Sequence, residues 1–216
     1  MPATDLRLIA DSQLAAFHRC AAIAFQEPLD DDMLARFARL EELDRSWAAF
    51  EGDEIVGTST AYSLMLSVPG GEQACAGITW LTVLPTHRRR GILRGLLGRQ
   101  FAEAHERGEP LAALWAAGGE IYGRFGFGAA VMGHDYRIAL GGTLPRQAPQ
   151  PDVEPRLRLE PPLTSLDLLA PMYAAIRGER PGMPSRSSAW WATRMLADQE
   201  RLLDVALRAS LALRSG

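Results

Sequence analysis

From residue 11 the apolar positions recur every three or four residues. Leu14, Phe17, Ala21 and Phe25 form one stripe, and after Asp30 to Asp32 the same spacing returns at Met33, Leu34, Phe37 and Leu40. That period is the period of an amphipathic helix, so two helices are expected to open the chain, the first with Asp11 as its N-cap. The pattern then shortens. "SWAAFEGDEIVGTSTAYSLMLSV" reads as two strands joined by a tight turn at Gly52-Asp53, and Pro69 to Gly71 turn the chain into "EQACAGITWLTVL". This predicts an antiparallel meander. Helical spacing resumes from Ile92 to Arg107, with Leu93, Leu96, Leu97 and Phe101 on the inner face, and the apolar run "LAALWAA" follows between Pro110 and Gly118. Strand, helix, strand is the order of a βαβ unit with a parallel pair. A glycine-rich turn, "GGEIYGRFGFG", leads to a last strand-like run around "AVMGHDYRIAL".

The pattern then fails. Residues 141–155 hold four Pro and little apolar content, which marks a linker over 141–156 between a first domain at 1–140 and a second segment at 157–216. That segment reads as a strand, a helix and an amphipathic helical C-terminus with Leu202, Leu203, Leu207 and Leu211. No repeat of fixed period is present. The fold class is therefore α/β, a mixed and mostly antiparallel sheet with flanking helices.

Composition narrows the partners. In 216 residues, 47% are hydrophobic and 23% charged, with a net charge of -3, so the chain is an ordinary globular protein and not a general polyanion binder; no nucleic-acid or membrane partner is expected. No stretch approaches the length of a membrane span, and the polar start lacks the charged region of a secretory signal; the cytoplasm is the default. Two cysteines, Cys20 and Cys75, have neither zinc-site spacing nor the number a disulfide framework needs, and they read as small buried hydrophobes; no metal is expected.

Against that negative balance, "PTHRRRGILRGLLGRQF" concentrates Arg88, Arg89, Arg90 and Arg94 around Gly91 at the start of a helix. Helix starts carry unpartnered N–H groups and partial positive charge, so this junction can receive a phosphate: Gly91 would let a pyrophosphate come close, and the amides of Arg89 to Arg94, Ile92 and Leu93 among them, would donate to it. A solvated basic turn is the alternative on the same residues. GxxxxGK[ST] is absent, and no GxGxxG lies between a strand and a helix, so ATP and NAD are not indicated.

The array "ITWLTVLP", "THRRRGILRGLL" and "GGEIYGRFGFG" resembles the GNAT superfamily of N-acetyltransferases and, within it, the enhanced-intracellular-survival (Eis) acetyltransferases, with similarity running through residue 195. The superfamily's pyrophosphate signature falls on Arg88-Arg89-Arg90-Gly91-Ile92-Leu93, with Leu93 in place of the usual small residue. "IYGRFGFG" is the more specific match. The resemblance implies a GNAT-like acyl-CoA fold whose parallel pair is splayed, with acetyl-CoA as co-substrate lying across the splay. Its pantetheine would pair with Leu81, Thr82 and Val83, and the Val83 N–H would polarise the acetyl carbonyl. Further cofactor contacts fall on Ala117 and Gly118, where Eis-type sequences carry Ser-Glu.

Tyr122 matches the family's general acid, the group that protonates the departing thiolate; without the motif it reads equally as a tyrosine packed with Phe125 and Phe127. His87 lies in the phosphate loop and reads as exposed, while His18, His105 and His134 read as core-edge or surface residues. Asp30 to Asp32 and Glu41-Glu42 could attract a cationic amine but read as solvated helix faces. In Eis-type enzymes the base is the terminal carboxylate of a third domain, which this chain does not reach, so a truncated or frame-shifted Eis-type protein is expected. The resemblance implies acetyl transfer to an aminoglycoside, polyamine, lysine-like or peptide amine, with a catalytically weak CoA-binding module as the alternative. The family's ring assemblies leave a homo-oligomer open.

Overall fold

A computed structural model of the chain describes residues 4–116, 118–131 and 161–197. Its sheet has five strands in sequence order, β1 (Asp5–Leu8), β2 (Trp47–Glu51), β3 (Glu54–Val68), β4 (Gly71–Val83) and β5 (Leu111–Leu114). Strands β1 to β4 are antiparallel neighbours, and only β4 and β5 run parallel. The connection from β4 to β5 is the helix α3 (Ile92–Glu106), which completes the expected βαβ unit.

Helices α1 (Leu14–Phe25) and α2 (Asp31–Ala38) precede the sheet's long hairpins, as the periodicity predicts. The start of α1 differs in detail. Residues Asp11–Gln13 form a 3-10 turn and Ala10 occupies its cap position, its N–H donating to Gln13 Oε1 at 3.0 Å; Asp11 is not the cap. Asp30 does cap α2, accepting from the Met33 N–H at 2.8 Å. Strand β1 leaves no mark in the apolar pattern: "DLRL" is only four residues long, too short for its alternation to stand out. It lies on β2 with Leu6 opposite Ala49, and a Cβ on Gly95 of α3 would come within 2.5 Å of Leu6 Cδ1, so that glycine admits the strand.

Both faces of the sheet are covered. Ile9, Phe17, Cys20, Ala48, Phe50 and Ile55 form a buried cluster on the α1 side, whereas Ala61, Ala76, Ile78 and Leu97, joined by Ala49, Val56, Ile92 and Leu96, fill the α3 side. Fully buried Leu96, Leu97, Phe17 and Phe50 each contribute about 1.5–3 kcal/mol relative to exposure. Cys20 and Cys75 are both buried, as expected, and burial pushes the Cys20 thiol up to about 11.

One polar lock sits inside this core. Arg45 has no exposed surface; it donates to both carboxylate oxygens of Glu109, at 2.7 and 2.6 Å, and to Ser63 Oγ at 2.8 Å, with its Nε 3.1 Å from Glu103. Trp47 Nε1 donates to Glu103, and Gln100 to the Arg45 carbonyl. The bidentate geometry keeps the buried charge compensated and ties the end of α3 and the entry to β5 against β3.

After the linker, α5 (Leu166–Glu179) and the short α6 (Ser188–Trp190), which runs on as a π-helical turn through Met195, pack on the far end of the β3–β4 hairpin. Leu66 bridges Pro184, Ser67 Oγ accepts from the Met183 N–H, and Arg177 pairs with Glu72 at 2.7 Å. The linker, His134, most of "AVMGHDYRIAL", the strand expected ahead of α5 and the C-terminal helix with Leu202 to Leu211 lie outside the described residues. Among the described residues no helix is long and apolar enough to cross a membrane.

Candidate functional site

Strands β4 and β5 pair only from Cys75 opposite Leu111 to Ile78 opposite Leu114; β5 then ends while β4 continues to Val83. This open stretch of β4 lies where the splay is expected. Its shape follows from a bulge: Thr58 faces Thr82 and Thr60 faces Thr79, so β4 carries one residue more than β3 between those pairs. Trp80, within the bulge, takes the left-handed φ of +48°, a conformation that costs a non-glycine residue about 1–2 kcal/mol. Thr58 holds it there, its hydroxyl donating to the Trp80 carbonyl at 2.6 Å and lying 2.7 Å from the buried Thr82 hydroxyl. Beyond the bulge, the Leu84 N–H donates to Val56 on β3, so the alternation of an antiparallel ladder turns the Val83 N–H toward the opposite, open edge.

The strand then breaks at Pro85 into a 3-10 turn, Pro85–His87, followed by exposed Arg88, Arg89 and Arg90. Gly91 begins α3 at φ +81°, with nothing within 4 Å of where a Cβ would stand and no side chain capping the helix. The first intrahelical bond runs from the Gly95 N–H to the Gly91 carbonyl at 3.0 Å, which leaves the amides of Ile92, Leu93 and Arg94 ahead of it, the arrangement that receives anions. The helix start is seated on the sheet at Gly57, whose absent Cβ would lie 3.0 Å from Ile92 Cγ2 and 3.0 Å from the Thr82 carbonyl. Arg90 pairs with Glu51 at 3.3 Å, and the other Glu51 oxygen bonds His87 Nε2. The His87 hydrogen bond, more than Arg90, holds the Glu51 carboxyl below its usual range. His87 is therefore a tethered residue of this loop and not the freely exposed one expected. Arg94, on the first turn of α3, is exposed.

Tyr122 ends the short helix α4 (Gly119–Tyr122), which Gly118 opens in extended conformation. Its ring is nearly buried and meets Phe127 edge-on at 5.9 Å, and burial raises the phenol above the ordinary tyrosine value, so it is protonated at neutral pH. Phe125 and Phe127 pack on the same cluster as Leu81, Leu93 and Leu114, which brings the "IYGRFGFG" turn to the splay. Of the two readings of Tyr122, the packed tyrosine is the one its contact with Phe127 describes. Ala117 lies outside the described residues.

The opposite, α1 side of the bulge holds His18, expected at the core edge or surface, and Glu41-Glu42, expected on a solvated face. His18 is 1% exposed, with Nε2 3.3 Å from Glu41, itself 1% exposed by its side chain. Glu41 accepts from Ser46 at 2.7 Å, and Glu42 accepts from the Ser63 backbone and hydroxyl. Glu41 is therefore not on a solvated face, whereas Glu42 is half-buried. Trp80 stands edge-on to His18 at 5.1 Å and to Phe37 at 4.9 Å. Tyr62 is edge-on to Trp190 from α6 at 5.1 Å, and its phenol is pushed up to about 12, first by burial and then by Glu41. Arg194 places its guanidinium 5.4 Å from the Phe37 ring, 5.9 Å from Trp80 and 6.0 Å from Trp190. The signal that could have found this wall was the helical spacing of His18 with Phe17 and Cys20, which puts it on the stripe that packs inward. Among the described residues no cluster of His, Cys, Asp and Glu could hold a metal ion.

Compared with known proteins, residues 5–130 match the acetyltransferase (GNAT) domain. An uncharacterized N-acetyltransferase of Streptomyces avermitilis is 39% identical over 188 residues, which is 86% of this chain and 44% of that protein. The crystal structure of Eis1 from Mycobacterium abscessus superposes with a TM-score of 0.64 at 30% identity, covering 88% of this chain and 46% of that one. A predicted acetyltransferase from Clostridium acetobutylicum, solved with acetyl-CoA, shares the fold at a TM-score of 0.53 and 21% identity, covering 62% of this chain and 96% of that one. The chain thus spans less than half the length of the curated relative and of the Eis1 structure.

Proposed function

The chain belongs to the GNAT acetyltransferases, and from that premise we propose that it transfers the acetyl group of acetyl-CoA to an amine of the aminoglycoside, polyamine or lysine-like kind. The observation that carries this reading is the open end of β4 lying beside the unpartnered start of α3, one offering strand-edge backbone groups and the other an anion site, as a thioester on a pyrophosphate-bearing arm requires. The pyrophosphate takes the amides of Ile92, Leu93 and Arg94, with Arg88, Arg89 and Arg90 supplying charge. The pantetheine lies along Leu81, Thr82 and Val83, and the thioester oxygen accepts from the Val83 N–H. The neutral amine attacks the carbonyl carbon, the oxygen gathers negative charge at that N–H, the C–S bond breaks, the leaving thiolate takes the Tyr122 proton, and the new amide nitrogen gives its surplus proton to solvent, from which the Tyr122 phenolate is reprotonated. A raised phenol pKa keeps that proton in place until the thiolate forms.

Several further assignments belong to the same proposal. Residues 1–140 act as the acetyltransferase unit and 157–216 as the opening of a second module across the 141–156 linker, in a cytoplasmic protein. Ala117 and Gly118 take part through backbone contacts alone. Calorimetric titration with CoA, followed by a free-thiol assay with acetyl-CoA and a panel of polyamines, aminoglycosides and lysine peptides, tests the reading. Micromolar CoA binding with amine-dependent thiol release is expected. Binding without release would leave only the CoA-binding module, and no binding at millimolar CoA would refute the site.

A further inference from the structure

Arg194 and Arg186 both lie against aromatic rings in the segment that follows the linker, yet they are held very differently. Arg186 stacks 3.7 Å from the centre of Tyr173 and 5.0 Å from Trp191. Arg194 stands among three rings from three separate elements, Phe37 of α2, Trp80 of the β4 bulge and Trp190 of α6, at 5.4 to 6.0 Å from each. Those distances approach the outer limit at which a ring face attracts a cation, about 6 Å. Among the described residues no carboxylate lies within ion-pair distance of Arg194, although Glu41 stands just behind the rings with His18, and Glu42 on Ser63. The box is thus built for a positive charge and is loosely filled by one the protein supplies itself.

Its place gives this consequence. Trp80 lies within Thr79 to Val83, the stretch of β4 that β5 leaves unpaired, and packs on the α1-side cluster, so a cation in the box sits on the α1 side of the strand that would hold the thioester. An amine must be neutral to attack, so a cation in the box is a second, non-reacting group of the acceptor. Resting on the acetyltransferase reading above, we propose that Arg194 is the resident occupant of the acceptor's distal cation site: an acceptor carrying a second positive charge displaces the guanidinium from Phe37, Trp80 and Trp190, and residue 194 thereby sets the KM for polyamine acceptors. Its half-buried position on a π-helical turn, closed by the Leu196 N–H on the Trp191 carbonyl at 2.8 Å, gives a long side chain room to leave without unfolding the segment.

Spermidine, with butylamine as its single-charge control, probes the box. For Arg194→Ala the KM for spermidine should fall about threefold to tenfold while kcat and the KM for acetyl-CoA stay put, because the acceptor no longer competes with a tethered cation. Arg194→Lys should restore the wild-type KM, and butylamine should respond little to either change. Arg194→Gln, nearly isosteric, serves if the alanine variant folds poorly. A KM for spermidine that rises or does not move on removing the charge would overturn the proposal, the rise meaning that Arg194 itself holds the acceptor. Binding is read separately, by tryptophan emission during spermidine titration without acetyl-CoA. If no variant releases thiol with any amine, the acetyltransferase reading fails, while a lower spermidine midpoint in Arg194→Ala would still sustain the box and an unchanged one would sink it.

Discussion

At its closed end the β4–β5 pair is clamped by a fully buried arginine with a two-point carboxylate partner; at its open end, a few residues along, backbone amides point outward and four arginines face water. The same residue type does opposite work in the two places. Arg45 is compensated on every side and can bind nothing new, whereas Arg88, Arg89 and Arg94 are exposed, and the helix start beside them has no side-chain cap. Rigidity at one end is what lets the other stay open. Glu103 and Glu109, both gripped by Arg45, fix the end of α3 and the approach to β5, whose pairing with β4 stops at Ile78 and Leu114.

The contrast can be broken first at the closed end. Arg45→Ala leaves Glu103 and Glu109 buried without their cation, which should cost about 3–5 kcal/mol and lower the melting temperature on the order of 10 °C. A loss under about 1 kcal/mol in urea unfolding would show that the clamp does not hold the splay. At the open end the largest effect should be on chemistry: Tyr122→Phe is expected to lower turnover about a hundredfold or more while CoA affinity in calorimetry stays unchanged. Next comes Gly91→Val. A β-branched residue forced to φ +81° at the mouth of the anion site should weaken CoA about tenfold with only a modest loss of stability, the reverse of the Arg45 pattern. The smallest effect concerns the buried wall. The Cys20 thiol and Tyr62 phenol ionise at about 11 and about 12 in the fold, against ordinary values of 9.0 and 10.0. In that window the unfolded chain binds fewer protons than the folded one, so stability is complete below the ordinary values and declines as pH rises through the folded ones. Melting temperatures at pH 8 and pH 10.5 should differ less in Cys20→Ala and Tyr62→Phe than in the parent protein.

These two ends were also unequally legible. The strand end, Pro85, the arginines, Gly91 and the α3 stripe are contiguous in sequence, so periodicity and turn chemistry are enough to place them on one strand-loop-helix junction. Arg45 and Glu109 are 64 positions apart, and nothing in "LDR" or "GEP" marks either as a partner. His18, Glu41, Trp80 and Arg194 likewise meet only through tertiary packing of α1, β4 and the segment beyond the linker. The bulge is invisible for a different reason: around it Ile78 to Val83 reads as an uninterrupted run of β-branched, aromatic and apolar residues, and the extra residue exists only relative to the register of β3. Glu41-Glu42 defy their pattern because acidic pairs are usually solvated, and here the Ser46 and Ser63 hydroxyls donate to them while Glu41 Oε2, 3.3 Å from His18, is buried.

Gly57 carries an implication for how this protein can change over time. With Ile92 Cγ2 and the Thr82 carbonyl each 3.0 Å from where its Cβ would be, even alanine must lift the first turn of α3 or shift the strand, and the anion site would move with it. Only a partner that gives up its Cγ2 methyl, such as Ile92→Ala, could relieve the helix side of that clash. Positions 57 and 92 should therefore drift as a coupled pair through descent, one forbidden to grow until the other has given ground.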